Sequence, residues 1–182
     1  GVAALHSPAT AIVDFVAVAA ALARRIEAAG GEVRTGIEVT RVRESRDGAT
    51  VDLAAAEAVA ADRVIVCAGL HSDRLARASG QDAGPRIIPF RGEYYKLAPN
   101  ATHLVRNLIY PVPNPAFPFL GVHYTRMIGG GVEAGPNAVL ALSRHGYSWS
   151  NVSARDTAET LTFPGFWKMC SKYWRDGFGE MH

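Results

Sequence analysis

Polar and titratable side chains gather in one aromatic, proline-rich stretch, residues 85–147. They supply cations, hydroxyls, an amide and an imidazole, and in chain order they are Arg91, Tyr94, His123, Thr125, Arg126 and Asn137. A guanidinium binds a carboxylate through paired hydrogen bonds, and an imidazole titrates near neutral pH and can act as a general base. The set therefore predicts an enclosed site for a small polar substrate that carries a carboxylate.

Each of these side chains also has a commoner structural role. From periodicity alone, His123 is favoured as a core histidine satisfied by its neighbours, because it follows the apolar run 119–122. Arg91 and Arg126 taken singly suit surface or ion-pair positions, whereas together among aromatics they favour a carboxylate clamp. Aromatic rings more often fill a sheet face than line a pocket, and this applies to Tyr94, Tyr95 and Tyr110.

The first element that must position these groups is a helix. Asp14 can cap a helix that begins at Phe15 and ends at Gly30-Gly31. Apolar side chains recur there at helical spacing, so one face is predicted to be core: Phe15, Val18, Leu22 and Ile26.

Strands and a small-residue turn come next. Strands are predicted at residues 32–35, 38–43 and 49–54, with a hairpin turn at 46–48. The apolar run 63–67 indicates a buried parallel strand, which leads through Ala68-Gly69 into a short helix at 72–79. Such a turn lets backbone amides approach a phosphate or a ring, although a packed strand–turn–helix is the commoner meaning, and no GxGxxG motif follows a strand.

The second half of the chain predicts an antiparallel sheet followed by helices. The strand segments are expected at residues 87–98, 105–111, 121–127 and 131–134. Gly129-Gly130-Gly131 is expected to be a hairpin turn, and Ser153 or Asp156 to cap a helix. An apolar helical segment is predicted at 166–174.

Composition excludes several classes of protein. With 182 residues, 48% of them hydrophobic, and a net charge of +2, the chain suits one globular core and gives no electrostatic reason to bind nucleic acid. The two cysteines and six histidines are scattered, so no metal site is predicted and a reducing compartment is favoured. No apolar run is long enough for a transmembrane helix, while peripheral membrane contact stays open.

Ordered motifs along nearly the whole chain carry a resemblance to a known family. They are Leu5–Asp14, Cys67–Arg74, Pro89–Tyr94, Ile109–Pro113, Phe117–His123, Thr125–Met127 and Gly135–Ala141. With these motifs the chain resembles the FAD-dependent oxidoreductases of the D-amino-acid-oxidase superfamily, and within it the L-2-hydroxyglutarate oxidase/dehydrogenase branch. The helix, strand and Ala-Gly turn suggest the superfamily, and the later motifs suggest the branch.

The resemblance implies a flavoenzyme that oxidises L-2-hydroxyglutarate, or a similar 2-hydroxy acid, to the 2-oxo acid with hydride transfer to FAD. Oxygen or a membrane quinone would accept the electrons. The implied fold mixes α/β and α+β features, with a three-layer FAD-binding lobe and an antiparallel substrate-binding sheet with helices. Residues 1–84 would form part of the first lobe and residues 85–182 the second.

The same resemblance implies roles for individual residues. FAD would be approached by Val39, Ala68 and Gly69. The substrate would be contacted by His6, Thr10, Tyr94, Thr125 and Asn137. His123 would take the proton of the alcohol, and Arg91 or Arg126 would hold a carboxylate.

The sequence departs from the family pattern at three places. Ala11 stands where the family has Gly, Gly129-Gly130 where it has Asp-Gly, and His145 where it has Glu. The N-terminal strand–GxGxxG–helix and the C-terminal segment of the family are also not in this sequence. We therefore expect a central fragment, inactive by itself, of a cytoplasmic enzyme whose association with the inner membrane face stays open.

Two alternatives remain at this point. One is a related FAD-dependent activity on glycerol 3-phosphate or an amino acid. The other is a non-catalytic binding module that lacks the cofactor lobe.

Overall fold

The computed structural model describes residues 3–81, 84–112 and 121–180, the last six of them through the backbone alone. The described residues form two compact units: unit 1 draws on those within 1–33, 91–139 and 176–182, and unit 2 on those within 34–90 and 140–175. The motif residues 113–120 lie outside the described residues. The division into family lobes after residue 84 stays a prediction.

Helix α1, Phe15–Ala28, forms where its cap predicted it. Asp14 Oδ1 accepts the backbone N–H groups of Val16 and Ala17 at 2.9 and 3.1 Å, which satisfies two of the donors that a helix start leaves unpaired. The predicted core face is wrong, because the helix exposes large apolar side chains, namely Phe15, Val16, Leu22 and Ile26. Capping is a local property, whereas burial needs a second layer, and no described helix or strand packs extensively on α1.

The first sheet is an antiparallel three-stranded meander in unit 2. Its strands, in spatial order, are β1 (Val39–Ser45), β2 (Gly48–Leu53) and β3 (Val59–Ala61). The predicted hairpin is confirmed, with Ser45 opposite Gly48. A Cβ on Gly48 would lie 2.6 Å from the Ala61 carbonyl oxygen, so the third strand requires glycine there. The predicted strand at 32–35 is wrong, and β3 lies in an alanine-rich tract where no strand was predicted.

The apolar run 63–67 is not a strand, so the predicted buried parallel strand is also wrong. Ile65 in this run is 89% exposed. A parallel strand exists only through hydrogen bonds to a neighbour, and no described segment pairs with this one. The run leads into a 3₁₀ turn, Gly69–His71, and helix α2, Ser72–Ala78, which confirms the predicted short helix.

The second sheet has the spatial order β4 (Phe90–Lys96), β6 (Val132–Leu140) and β5 (His123–Arg126). Strands β5 and β6 form the predicted antiparallel hairpin, closed by a hydrogen bond from Met127 N–H to the Gly131 carbonyl at 3.1 Å. The predicted strand at 105–111 is reduced to one bridge between Ile109 and Tyr124. Side chains on this sheet therefore have fixed neighbours on the adjoining strand.

Two helices end the described chain. In α3, Ala154–Leu161, the Ser153 hydroxyl accepts the Asp156 N–H at 3.2 Å, which confirms Ser153 as the cap. Helix α4, Pro164–Glu180, contains the predicted apolar segment and is kinked at Tyr173. The predicted mixture of helices and antiparallel sheet is confirmed. Among the described helices none is both long and apolar enough to cross a membrane.

Candidate functional site

One cavity in unit 1 collects three of the predicted site residues. This His6 cavity measures about 600 Å³, and its wall includes His6, Thr10, Asn107, Tyr110 and Arg126. The segment that carries His6 and Thr10 has little regular structure, yet it is held locally by a 2.8 Å hydrogen bond between the Ser7 and Thr10 hydroxyls. A cation, an imidazole and a hydroxyl on one wall suit a small anion with hydrogen-bonding groups.

His123, the predicted base, lies on β5 with only 8% of its surface exposed. Its Nδ1 lies 3.0 Å from the Gly121 carbonyl oxygen. A carbonyl can only accept, so Nδ1 carries a proton, and the lone pair of the neutral form of the ring is at Nε2. Tyr110 stacks on the ring with a centroid distance of 4.4 Å. His123 thus combines the burial of a core histidine with the tautomer that a general base at Nε2 needs.

Arg91 and Arg126 occupy different surroundings. Arg126 lines the His6 cavity and donates to the Val105 carbonyl at 3.3 Å. Arg91 is buried on β4, where its Nε and Nη2 donate to the Glu93 carboxylate at 2.9 and 2.7 Å. Strand β6 lies between β4 and β5, and Arg91 does not line the His6 cavity. Of the two, Arg126 is the one placed to meet a ligand there.

The three remaining predicted substrate contacts lie on the same sheet, but none lines the His6 cavity. Tyr94 packs so closely against Gly135 that a Cβ at that glycine would lie 2.6 Å from its ring. Thr125 faces Glu133 across the β5–β6 hairpin, and Asn137 is half-buried on β6. Their predicted contacts with substrate stay predictions.

A second cavity, in unit 2, brings together two residues predicted to approach FAD. This Val39 cavity measures about 630 Å³ and is lined by Val39, Thr40, Ala68, Leu75 and Arg74, among others. The neighbouring Gly69 has a φ of +52° and open space where a Cβ would stand. The wall mixes apolar side chains with polar and charged ones, and this mixture suits an aromatic heterocycle that has hydrogen-bonding edges, such as adenine. The residues present therefore fit the adenosine part of FAD.

Two histidines also line the Val39 cavity. His71 Nε2 lies 2.7 Å from His145 Nε2, so one ring donates to the other. Burial lowers the pKa of His71, and the neighbouring His145, Arg144 and Arg74 lower it further. His145 stands where the family resemblance expects a glutamate, so this chain replaces a carboxylate with a second ring.

Arg74 of the Val39 cavity belongs to a group of charged residues that sequence patterns did not reveal. This Asp73 cluster consists of Asp73, Arg74, Arg144, Asp156 and Glu159. Two guanidinium nitrogens of Arg144 donate to Asp73 at 2.5 and 2.9 Å, and both side chains are almost completely buried. Arg74 binds Asp156 and, at 2.8 Å, Glu159. The cluster joins α2 to α3 and so fixes one side of the Val39 cavity.

The acids of the Asp73 cluster make the fold sensitive to low pH. Burial alone would raise the pKa of Asp73, but the hydrogen bonds and charge of Arg144 outweigh it and hold that pKa well below its usual range. The pKa values of Asp156 and Glu159 are lowered in the same way, against their burial, by contacts that include Arg74. Each carboxylate therefore stabilises the fold above its unfolded pKa, and that contribution is lost as pH falls through the folded pKa.

We expect the free energy of unfolding to fall steadily below about pH 5. Urea unfolding of the purified protein between pH 7 and pH 2.5 measures it. The variant Asp73→Asn should be less stable at neutral pH and should show a shallower decline. Parallel pH profiles of the two proteins would contradict the account.

Comparison with known proteins assigns the chain to a class. The family model for FAD-dependent oxidoreductases, DAO, matches residues 1–179. The chain belongs to this family.

Individual relatives are more specific. The chain is 50% identical over 182 residues to an L-2-hydroxyglutarate dehydrogenase of Indibacter alkaliphilus, covering 100% of the chain and 45% of that protein. It is 43% identical over 181 residues to the enzyme of that name from Salmonella houtenae, covering 100% of the chain and 43% of the relative. A mitochondrial L-2-hydroxyglutarate dehydrogenase of Nematostella vectensis is 43% identical over 195 residues, with the same coverage, 100% and 43%. The chain thus spans less than half the length of these relatives.

Proposed function

We propose that the protein containing this chain is an FAD-dependent dehydrogenase that oxidises L-2-hydroxyglutarate to the 2-oxo acid. The observation that carries the proposal is the similarity along the entire chain to proteins of that name, at 50% and 43% identity. The lining of each cavity supports it, because the His6 cavity and the Val39 cavity each gather residues with the chemistry that such an enzyme needs. We call the product of the natural reading frame that contains this chain the complete protein.

The His6 cavity would bind the substrate. Arg126 would pair with a carboxylate, and His6 and Thr10 would hydrogen-bond to the rest of this dianionic acid. The other proposed substrate contacts lie outside this cavity on the second sheet and would meet parts of the substrate that extend beyond it: Arg91, Tyr94, Thr125 and Asn137. Oxidation of an alcohol releases its hydroxyl proton. His123 does not line the cavity but stacks on its wall residue Tyr110, so Nε2 would accept that proton from a hydroxyl bound beside this ring.

The Val39 cavity would hold the cofactor. Val39, Ala68 and Gly69 would contact the adenosine part of FAD, where small side chains leave the backbone accessible. FAD, when bound, supplies the acceptor for the hydride of the substrate. We further propose oxygen or a quinone as the final electron acceptor, and a cytoplasmic location with peripheral contact to a membrane.

A substrate panel tests this function. The complete protein, reconstituted with FAD, is expected to reduce an artificial electron acceptor with L-2-hydroxyglutarate and not with glycerol 3-phosphate or L-glutamate. Faster turnover of either of those compounds would replace the proposal with a related activity of the family. A complete protein that binds no flavin would instead favour a non-catalytic binding module.

A further inference from the structure

Tyr110 lies opposite His123 on the segment that runs beside β5. Ile109 and Tyr124 exchange two backbone hydrogen bonds, at 3.0 and 2.9 Å, in an antiparallel bridge. Tyr110 follows Ile109 and His123 precedes Tyr124, so these two residues face each other as the next pair of the antiparallel bridge. This pair exchanges no backbone hydrogen bonds, and at such pairs opposite side chains come closest. Their rings stack 4.4 Å apart at an angle of 19°.

Neighbouring residues hold this arrangement in place. A Cβ on Gly121 would lie 2.7 Å from Pro111 Cγ, so glycine lets the Tyr110 segment approach β5 closely. The carbonyl of the same glycine accepts the Nδ1–H of His123 at 3.0 Å. This hydrogen bond sets the tautomer of His123 only while the ring keeps its orientation, and a single bond does not hold the ring plane. The stacked ring of Tyr110 supplies the packing that does.

Tyr110 is also the member of the pair that lines the His6 cavity, whereas His123 does not. More than half of the Tyr110 surface is exposed, against 8% for His123. A molecule in the cavity therefore meets Tyr110, and the orientation of the imidazole depends on the ring stacked on it. Tyr110 connects the place where a substrate would bind to the group that would take its proton.

We propose that Tyr110 is a positioning residue for the oxidation reaction: its ring holds the His123 imidazole in the one orientation that presents Nε2 as the proton acceptor. This inference rests on the proposed function, since that function assigns His123 its role. The ring, and not the hydroxyl, is the part that acts. Tyr110→Phe should therefore preserve the orientation of the His123 imidazole, and Tyr110→Leu should remove it.

Kinetics of the complete protein test the proposal first. Tyr110→Leu is expected to lower kcat for L-2-hydroxyglutarate by about 10-fold or more while KM changes by less than about 3-fold, because a misoriented base slows the chemical step more than binding. Tyr110→Phe should keep kcat within about 2-fold of the wild type. Tyr95→Leu, which removes an exposed tyrosine from β4, is the matched control and should change neither constant. Equal losses in Tyr110→Phe and Tyr110→Leu would overturn the role of the ring.

Nitrogen-15 NMR of the histidine rings tests the proposal without any turnover or bound flavin. In the wild type and Tyr110→Phe, His123 should show one tautomer with the proton on Nδ1. In Tyr110→Leu, His123 should show a mixture of both tautomers. If the leucine variant does not fold, Tyr110→Met takes its place. An unchanged single tautomer in the variant without a ring would refute the positioning role. Failure of the proposed function would show separately, as the absence of flavin reduction by any 2-hydroxy acid.

Discussion

Replacing Asp73 with alanine is expected to lower the free energy of unfolding by about 3–5 kcal/mol, because the buried Arg144 guanidinium loses its closest charge partner and keeps only the longer contact with Glu159, at 3.4 Å. Single domains are stable by only about 5–15 kcal/mol, so this one change removes a large part of the total. It should also loosen the α2–α3 side of the Val39 cavity and so weaken flavin binding. Urea unfolding followed by circular dichroism measures the first effect, and flavin titration the second.

An exposed ion pair in the same unit is the matched control. Arg43 binds Asp52 at 2.5 Å on the β1–β2 hairpin, with about half of the arginine side chain exposed. Asp52→Ala should change stability little, because water already solvates both charges and screens their attraction. The double variant Asp73→Leu/Arg144→Met should recover much of the stability that Asp73→Ala loses, since no buried charge is left unpaired. Equal effects of Asp73→Ala and Asp52→Ala would show that burial does not govern the strength of the pair.

Replacing His123 with glutamine is expected to reduce kcat/KM for L-2-hydroxyglutarate by about 10²- to 10⁴-fold, the usual contribution of a general base. Glutamine keeps a polar side chain of similar reach but cannot accept and release a proton at neutral pH. The loss should appear mainly in kcat, because the groups that bind the carboxylate remain. Steady-state kinetics of the complete protein over pH 6–9 measure it.

His103 provides the control for this second prediction. It is an exposed histidine in the 3₁₀ turn Pro99–Leu104, so His103→Gln changes the same chemistry outside either cavity. Its kcat/KM should match that of the wild type. If His123→Gln lost stability but retained most of its turnover, His123 would be a core histidine and another group would take the proton.

Local features of the fold could be predicted from the sequence because local contacts determine them. Asp14 and Ser153 cap their helices through backbone donors two or three residues away. The hairpin turns at 46–48 and 129–131 depend on glycines that adopt positive φ. The exposed face of α1 and the unpaired run 63–67 were predicted wrongly, since burial and strand pairing depend on distant segments that a local pattern does not identify.

The candidate site shows the same limit. The resemblance implied one set of residues around FAD and a larger set around the substrate. Of the first set the structure gathers Val39 and Ala68 in one cavity, and of the second only His6, Thr10 and Arg126 in another. The Asp73 cluster was missed because Asp73 and Arg144 are far apart in the chain, and the motif that contains Asp73 does not indicate its partner. The only local signal was Asp156 and Glu159, which are spaced to share one face of a helix. Tyr110 differs from the other tyrosines through its pairing with His123, which no local sequence pattern predicts.

The most direct measurement for the proposed function is anaerobic reduction of the flavin in the complete protein. Mixing the oxidised, FAD-loaded protein with L-2-hydroxyglutarate without oxygen should bleach the visible absorbance of the flavin, with about one 2-oxo acid formed per flavin reduced. The D enantiomer should leave the absorbance unchanged. Persistent absorbance with L-2-hydroxyglutarate at saturating concentration would contradict the proposed function.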